Sequence, residues 1–157
     1  MLSSKRVRWC NMDKISELSN IDFYTKLISL FQPLIKVPLR EPKNESWYKI
    51  PTNEPGIHFE WGFHHNKRSF GTEIHFEKSK REANEELSHR ILNRYKPILE
   101  CLADEKLLIE SNWGTGQNHI RLYFEKNACD FESEDDVLKW AVRTMLVLYI
   151  SLRHEYN

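Results

Sequence analysis

Two stretches of the chain alternate strictly between apolar and polar residues. In the first, Ile57, Phe59, Trp61 and Phe63 are interleaved with His58, Glu60, Gly62 and His64. In the second, Phe70, Thr72, Ile74 and Phe76 are interleaved with Gly71, Glu73, His75 and Glu77. A period of two marks strands with one face against a core. The polar His65-Asn66-Lys67-Arg68 between them then predicts a β-hairpin. Pairing 63 with 70, 61 with 72 and 59 with 74 gathers every bulky apolar side chain on one face, and this sets the register. A second hairpin is predicted downstream. Leu107, Ile109 and Ser111 alternate inward, Asn112–Gln117 turn the chain, and Ile120, Leu122 and Phe124 return. Glu110 then falls opposite Arg121 on the outer face, a favourable cross-strand pair.

Elsewhere the apolar residues recur at helical spacing. A helix is predicted over 22–36, capped by Asp22, with Phe23, Leu27, Leu30, Phe31 and Leu34 as its stripe. Pro33 implies a kink or a restart. Residues 37–55, carrying Pro38, Pro42, Pro51 and Pro55, read as a long loop of the kind that is often functional, with Trp47 and Tyr48 tucked back onto the body. Ser79 and Glu82 form a capping box for a helix over 80–103. Ala83, Leu87, Ile91, Ile98 and Leu102 line its buried side, and Pro97 should bend or split it. The last helix opens at Ser133 and carries Val137, Leu138, Ala141, Met145, Leu148, Tyr149 and Leu152. Glu134, Asp135 and Asp136 suit its positive end, and Arg153 and His154 its negative one. Residues 1–20, with Lys5, Arg6, Arg8 and Trp9, read as a flexible basic arm before a single domain over 21–157. The predicted fold is an α+β two-layer sandwich in the order α-ββ-α-ββ-α. Three helices cover one face of a four-stranded antiparallel sheet of two hairpins, and the other face meets solvent.

Composition narrows the function classes. The 157 residues hold 23 Lys+Arg and 23 Asp+Glu, so the net charge is zero. That argues against nucleic-acid binding by bulk positive charge. No apolar run approaches the ~20 residues of a membrane span. The first residues have charge but not the apolar stretch of a secretory signal. Cys10, Cys101 and Cys129 form no CxxC pair, so free thiols and a cytoplasmic location are expected. There is no P-loop, HExxH, GxSxG or dinucleotide fingerprint. Gly114-Thr115-Gly116 reads as a turn, and His58-Phe59-Glu60 is half of a deaminase signature whose P-C-x-x-C partner is missing.

The candidate chemistry lies on the outer face of the first hairpin. The register sets His58 opposite His75 and Glu60 opposite Glu73, and like charges directly opposed destabilise a strand pair. A divalent metal held by His58, Glu60, Glu73 and His75 would offset the repulsion. So would Arg121 and His119 if the hairpins are neighbours, a basic partner, or splaying of the side chains into water. Opposed carboxylates can also exchange protons, but no nucleophile accompanies them and no catalytic residue is assigned. Gly62 and Gly71 also face each other, which either leaves backbone open to close approach or adds twist near the turn. Trp113 is a candidate partner anchor or a lid on the edge of the core. His64 and His65 read as solvated.

From Ile57 to the C-terminus the chain resembles an uncharacterised prokaryotic domain-of-unknown-function family. The shared pattern is an alternating aromatic strand, a basic turn, a second strand ending at Glu73–Phe76, a long charged helix, a strand pair, and a last helix containing Trp140. In that family the domain often follows a restriction-endonuclease-like domain. The resemblance therefore implies an accessory role in nucleic-acid processing or phage defence. It does not imply nuclease activity, because Glu73-Ile74-His75 is not the Glu-x-Lys such nucleases use. The leading expectation is a non-enzymatic interaction module with a protein partner and no cofactor, binding through Glu60, Glu73, Arg121, His119 and Trp113. One alternative is a metal-dependent hydrolase or nuclease built on the His/Glu cluster. The other is direct nucleic-acid binding through the arm, Lys67 and Arg68.

Overall fold

The structure is a computed structural model that describes residues 17–113 and 118–156. Its elements, in chain order, are α1 (Asn20–Phe31), a 3-10 turn (Gln32–Leu34), β1 (Trp47–Pro51), β2 (Ile57–His64), β3 (Ser69–Phe76), α2 (Arg81–Ala103), β4 (Leu108–Ser111), β5 (Ile120–Asn127), a 3-10 turn (Ala128–Asp130) and α3 (Glu134–Tyr156). The fold is α+β, with three described helices and one antiparallel sheet. The sheet has five strands rather than four, in the order β1-β2-β3-β5-β4. The added strand, β1, lies in the stretch read from sequence as a loop. Pro51 ends it on the outer edge of the sheet, where a missing N–H removes no ladder bond.

The register of β2 and β3 is the one the alternation predicts: Phe59 faces Ile74, Trp61 faces Thr72 and Phe63 faces Phe70. Glu110 faces Arg121 across β4 and β5. On the helix side, Phe59, Trp61, Phe70, Ile74, Phe76, Leu122 and Phe124 are buried, each contributing about 1.5–3 kcal/mol of transfer free energy. Thr72, the polar member of this row, donates to or accepts from Thr144 of α3 at 2.7 Å. Trp61 Nε1 donates to Ala141 O at 3.0 Å, tying α3 to the middle of the sheet.

All the apolar residues predicted for the last helix are buried, and Ser133 Oγ caps it by accepting from Asp136 N at 3.2 Å. The other two helices depart from prediction. Ser19 rather than Asp22 caps α1, and Leu30 and Leu34 are exposed while Tyr24 is buried. Pro33 does end the α-helix, in the 3-10 turn. Lys80 occupies the N-cap position of α2 with no side-chain cap bond, so Ser79 and Glu82 form no capping box. α2 runs unbroken through Pro97, but Leu99 and Ala103 are buried there, and Ile98 and Leu102 are exposed. Its inner face instead buries Asn84, which donates to the carbonyls of Lys78 and Asn118 and accepts from Lys78 N. On β4, Ile109 shares a face with Leu122 but is exposed at the sheet edge, as is Ser111. No described helix is long and apolar enough to cross a membrane. Most of the predicted basic arm and Gly114-Thr115-Gly116 lie outside the described residues. Cys101 is an exposed free thiol, whereas Cys129 is disulfide-bonded, contrary to the expectation of three free thiols.

Candidate functional site

The side of the sheet away from the helices carries two cross-strand rows of polar residues. One runs Pro51, His58, His75, Arg121, Glu110; the other runs Lys49, Glu60, Glu73, Tyr123. This face was expected to meet solvent. It is largely sealed instead: His58, Glu60, Glu73, His75 and Arg121 are all buried, and Glu73 is 0% exposed. Among the described residues no helix covers it; Trp113, whose N–H donates to His119 O at 3.2 Å, lies over it. The Trp113 ring lies over the Arg121 guanidinium at 3.5 Å, and the Tyr123 ring lies 3.9 Å from the same group.

Glu73 is the hub. It accepts from Arg121 Nη1 at 2.6 Å, from His75 Nε2 at 2.5 Å, and from His64 Nε2. Burial alone would raise its pKa, but the hydrogen bonds from His64 and His75 outweigh burial and hold it at about 2. Burial likewise works against charge on His75. Its hydrogen bonds to Glu73 and Glu77, with the charge of Glu60, outweigh that and raise its pKa to about 9. His75 therefore sits as an imidazolium bridging two carboxylates, with Nδ1 3.4 Å from Glu77 Oε1. That bond holds Glu77 at about 2. Arg121 reaches Glu110 Oε2 through Nε at 3.1 Å and Nη2 at 2.7 Å. The Glu60–Glu73 repulsion is thus offset by a protein cation, one of the alternatives open from sequence.

Several sequence assignments shift. Gly62 and Gly71 do face each other, but the space above them is filled. A Cβ at Gly71 would lie 2.6 Å from Glu73 Oε1, and one at Gly62 would lie 3.1 Å from the His64 ring. The glycines make room for the network rather than for an outside chain. His64 is part of that network and not solvated; His65 only follows it in the turn. Lys67, counted among the nucleic-acid cations, donates to Leu18 O, and burial lowers its pKa. Arg68 bonds through its backbone to His64 O and Ala128 N. Of the proposed metal ligands, His58, Glu60 and His75 offer atoms within 4.8 Å of one another. Glu73 does not join them, because its oxygens are taken by Arg121, His64 and His75. His119 lies at the rim, its Nδ1 3.8 Å from Glu77.

Beside the network lies a half-open cleft of about 470 Å³, lined among others by Trp47, Lys49, Glu60, Glu77, Trp113 and His119. Sequence reasoning missed His64, Glu77, Tyr123, Trp47 and Lys49 as site residues. His64 and Glu77 share the alternation parity of His58 and His75, so the register itself carried their signal. Trp47 and Lys49 were hidden because β1 was not recognised as a strand.

These elements define the class: an α+β sandwich whose central strands β2 and β3 are buried on both faces, with a hydrogen-bonded ionic network behind one cleft. No protein family model matches the chain, and no curated protein does. A chain of the structure described as "Structure of the HopA1-SchA Chaperone-Effector Complex" is similar to it at 16% sequence identity and a TM-score of 0.40, over 84% of this chain and 94% of that one.

Proposed function

We propose that this chain is a non-catalytic interaction module that takes a short peptide segment of a partner protein into the cleft. The observation that supports it is the division of labour on the polar face. Glu73, His75 and Arg121 satisfy one another, while Trp47, Lys49 and His119 stand at the cleft with exposed surface. A cleft of about 470 Å³ lies within the ~300–1,000 Å³ range of ligand-binding sites. Its mixed lining of indole, ammonium, imidazole and carboxylate matches a peptide, which offers apolar side chains, amides and charges of both signs together. Trp47, 40% exposed, is the aromatic anchor.

The test is selection of peptides from a displayed random library, followed by calorimetric titration of the selected peptides. Trp47→Ala, Lys49→Ala and His119→Ala are compared with the wild type after circular dichroism has confirmed their folds. Trp47→Ala should lower affinity by about tenfold or more, a hot-spot effect. Failure to select any binder, or binders that hold equally well to all three variants, overturns the reading.

A further inference from the structure

We propose that His58, Glu60 and His75 form a binding site for one divalent first-row transition-metal ion, with Zn²⁺ as its probe. The inference does not depend on the peptide reading. Two imidazoles and a carboxylate, with no thiolate, make a donor set suited to such ions rather than to Mg²⁺ or Ca²⁺, which prefer all-oxygen shells.

The geometry is close to what the ion requires. A tetrahedral ion bonded at ~2.0–2.1 Å sets its ligand atoms ~3.3 Å apart. His58 Nε2 and Glu60 Oε2 are already 3.3 Å apart, His75 Nε2 lies 4.0 Å from the other Glu60 oxygen, and one donor atom from each residue falls within 4.8 Å, so small side-chain rotations close the set. The two rings are 4.7 Å apart between centroids. All three residues project from neighbouring same-face positions on β2 and β3, which pair along their whole length, so their backbones are fixed relative to one another.

The surroundings supply the rest. The Glu77 carboxylate beside His75 Nδ1 orients that ring, the usual outer support of a ligating imidazole. Binding replaces the protons on His75 Nε2 and His58 Nε2 with the ion: the first is released to solvent, and neutral His58 carries its hydrogen on Nδ1, 4.0 Å from Glu77 Oε2. Glu73 Oε1 keeps Arg121 and His64 as partners when the His75 proton leaves, while Oε2 gives up its bond to His75. Glu60 is free of Arg121, whose contacts go to Glu73 and Glu110, so its carboxylate remains available to the ion. Glu60 and His75 also line the cleft, so a water or a partner group completes coordination from that side.

The experiment uses the full chain, with any affinity tag removed and metal stripped by a chelator. Zn²⁺ uptake is measured by competition with a chromophoric chelator, and Co²⁺ is added separately to report four-coordinate geometry through its visible absorption. One ion per chain is expected at micromolar affinity or tighter. Glu60→Gln and His58→Ala should each weaken binding by about tenfold or more. His89→Ala, on the exposed side of α2, should leave it unchanged. Both ligand variants are checked by circular dichroism, and either one that stays folded decides the matter. The proposal is overturned by a lack of stoichiometric uptake, or by stoichiometric uptake that survives the folded variant.

Discussion

Replacing Arg121 by Met tests whether the polar face is held together by its ion pairs. Arg121 is 3% exposed and meets Glu73, which is 0% exposed, at 2.6 Å. Removing one partner of a buried pair costs ~3–5 kcal/mol because the other charge is stranded. His64 and His75 remain on Glu73, which places the effect at the lower end, about 3 kcal/mol. The contact with Glu110 adds little, since that side chain is 41% exposed. Loss of the stacking with Trp113 and Tyr123 adds about 1 kcal/mol, while Met refills much of the aliphatic volume. The assay is urea unfolding with chelator present. In a domain of this size each 1 kcal/mol also moves the midpoint of thermal unfolding by ~2–4 °C. Pairing Arg121→Met with Glu73→Gln removes the stranded charge, so the cycle should show a coupling of about 2–3 kcal/mol. A loss under about 1 kcal/mol for Arg121→Met, or a cycle additive to within ~0.5 kcal/mol, refutes the reasoning.

Two further outcomes follow from the same contacts. The first is pH dependence in the metal-free chain. His75 is raised from 6.5 to about 9, so its contribution is complete below pH 6.5 and lost as pH rises to about 9. Glu73 is lowered from 4.5 to about 2, so its contribution is complete above pH 4.5 and lost as pH falls to about 2. The urea midpoint should therefore be flat between those limits and fall on both flanks. The two shifts overlap in the Glu73–His75 contact, with His64 adding to the first and Glu77 and Glu60 to the second, so they are not summed; each corresponds to about 3 kcal/mol, and a midpoint that does not fall on the alkaline flank contradicts the reading. The second concerns the glycine pair. Gly71→Ala should destabilise by about 2 kcal/mol, because its Cβ would press on the Glu73 carboxylate at 2.6 Å. Gly62→Ala should cost less, since its Cβ comes no closer than 3.1 Å, to the His64 ring, and meets Glu60 Oε1 at an ordinary 3.9 Å. Equal losses in unfolding measurements, or the reverse order, count against the description of the network.

What was legible in the sequence was what repeats locally. Alternation with period two set the register, and the register set which His, Glu and Arg residues share the polar rows. It did not reveal β1, because Pro38, Pro42, Pro51 and Pro55 carry the local signal of a loop. Trp47–Pro51 pairs with β2 across the short connection 52–56, but five residues ending in proline are too few for alternation to stand out. Helical spacing placed Ile91 correctly on the inner face of α2 but misplaced the C-terminal part of that face. A rule that buries apolar residues chooses Ile98 and Leu102, whereas the helix turns Asn84 inward to satisfy the backbone at Lys78 and Asn118. The sealing of the polar face was not legible either, since it depends on Trp113 lying over Arg121, a contact no periodicity specifies.

That sealing bears on why the charges are there. Well-packed apolar side chains at these positions would often stabilise the sheet as well as the ionic network does. They would not position the cleft in the same way. Glu73 is fixed by β3 and holds Arg121; Arg121 holds the Trp113 ring at 3.5 Å; and Trp113 is one wall of the cleft. The buried carboxylate thus sets the shape of the cavity from beneath. A peptide that contacts Trp113 would feel Glu73→Gln without touching it. In a chain that stays folded, that substitution should loosen the wall and speed peptide dissociation more than it slows association. Unchanged dissociation in stopped-flow measurements would separate the network from the cleft and leave the ion pairs a purely structural role.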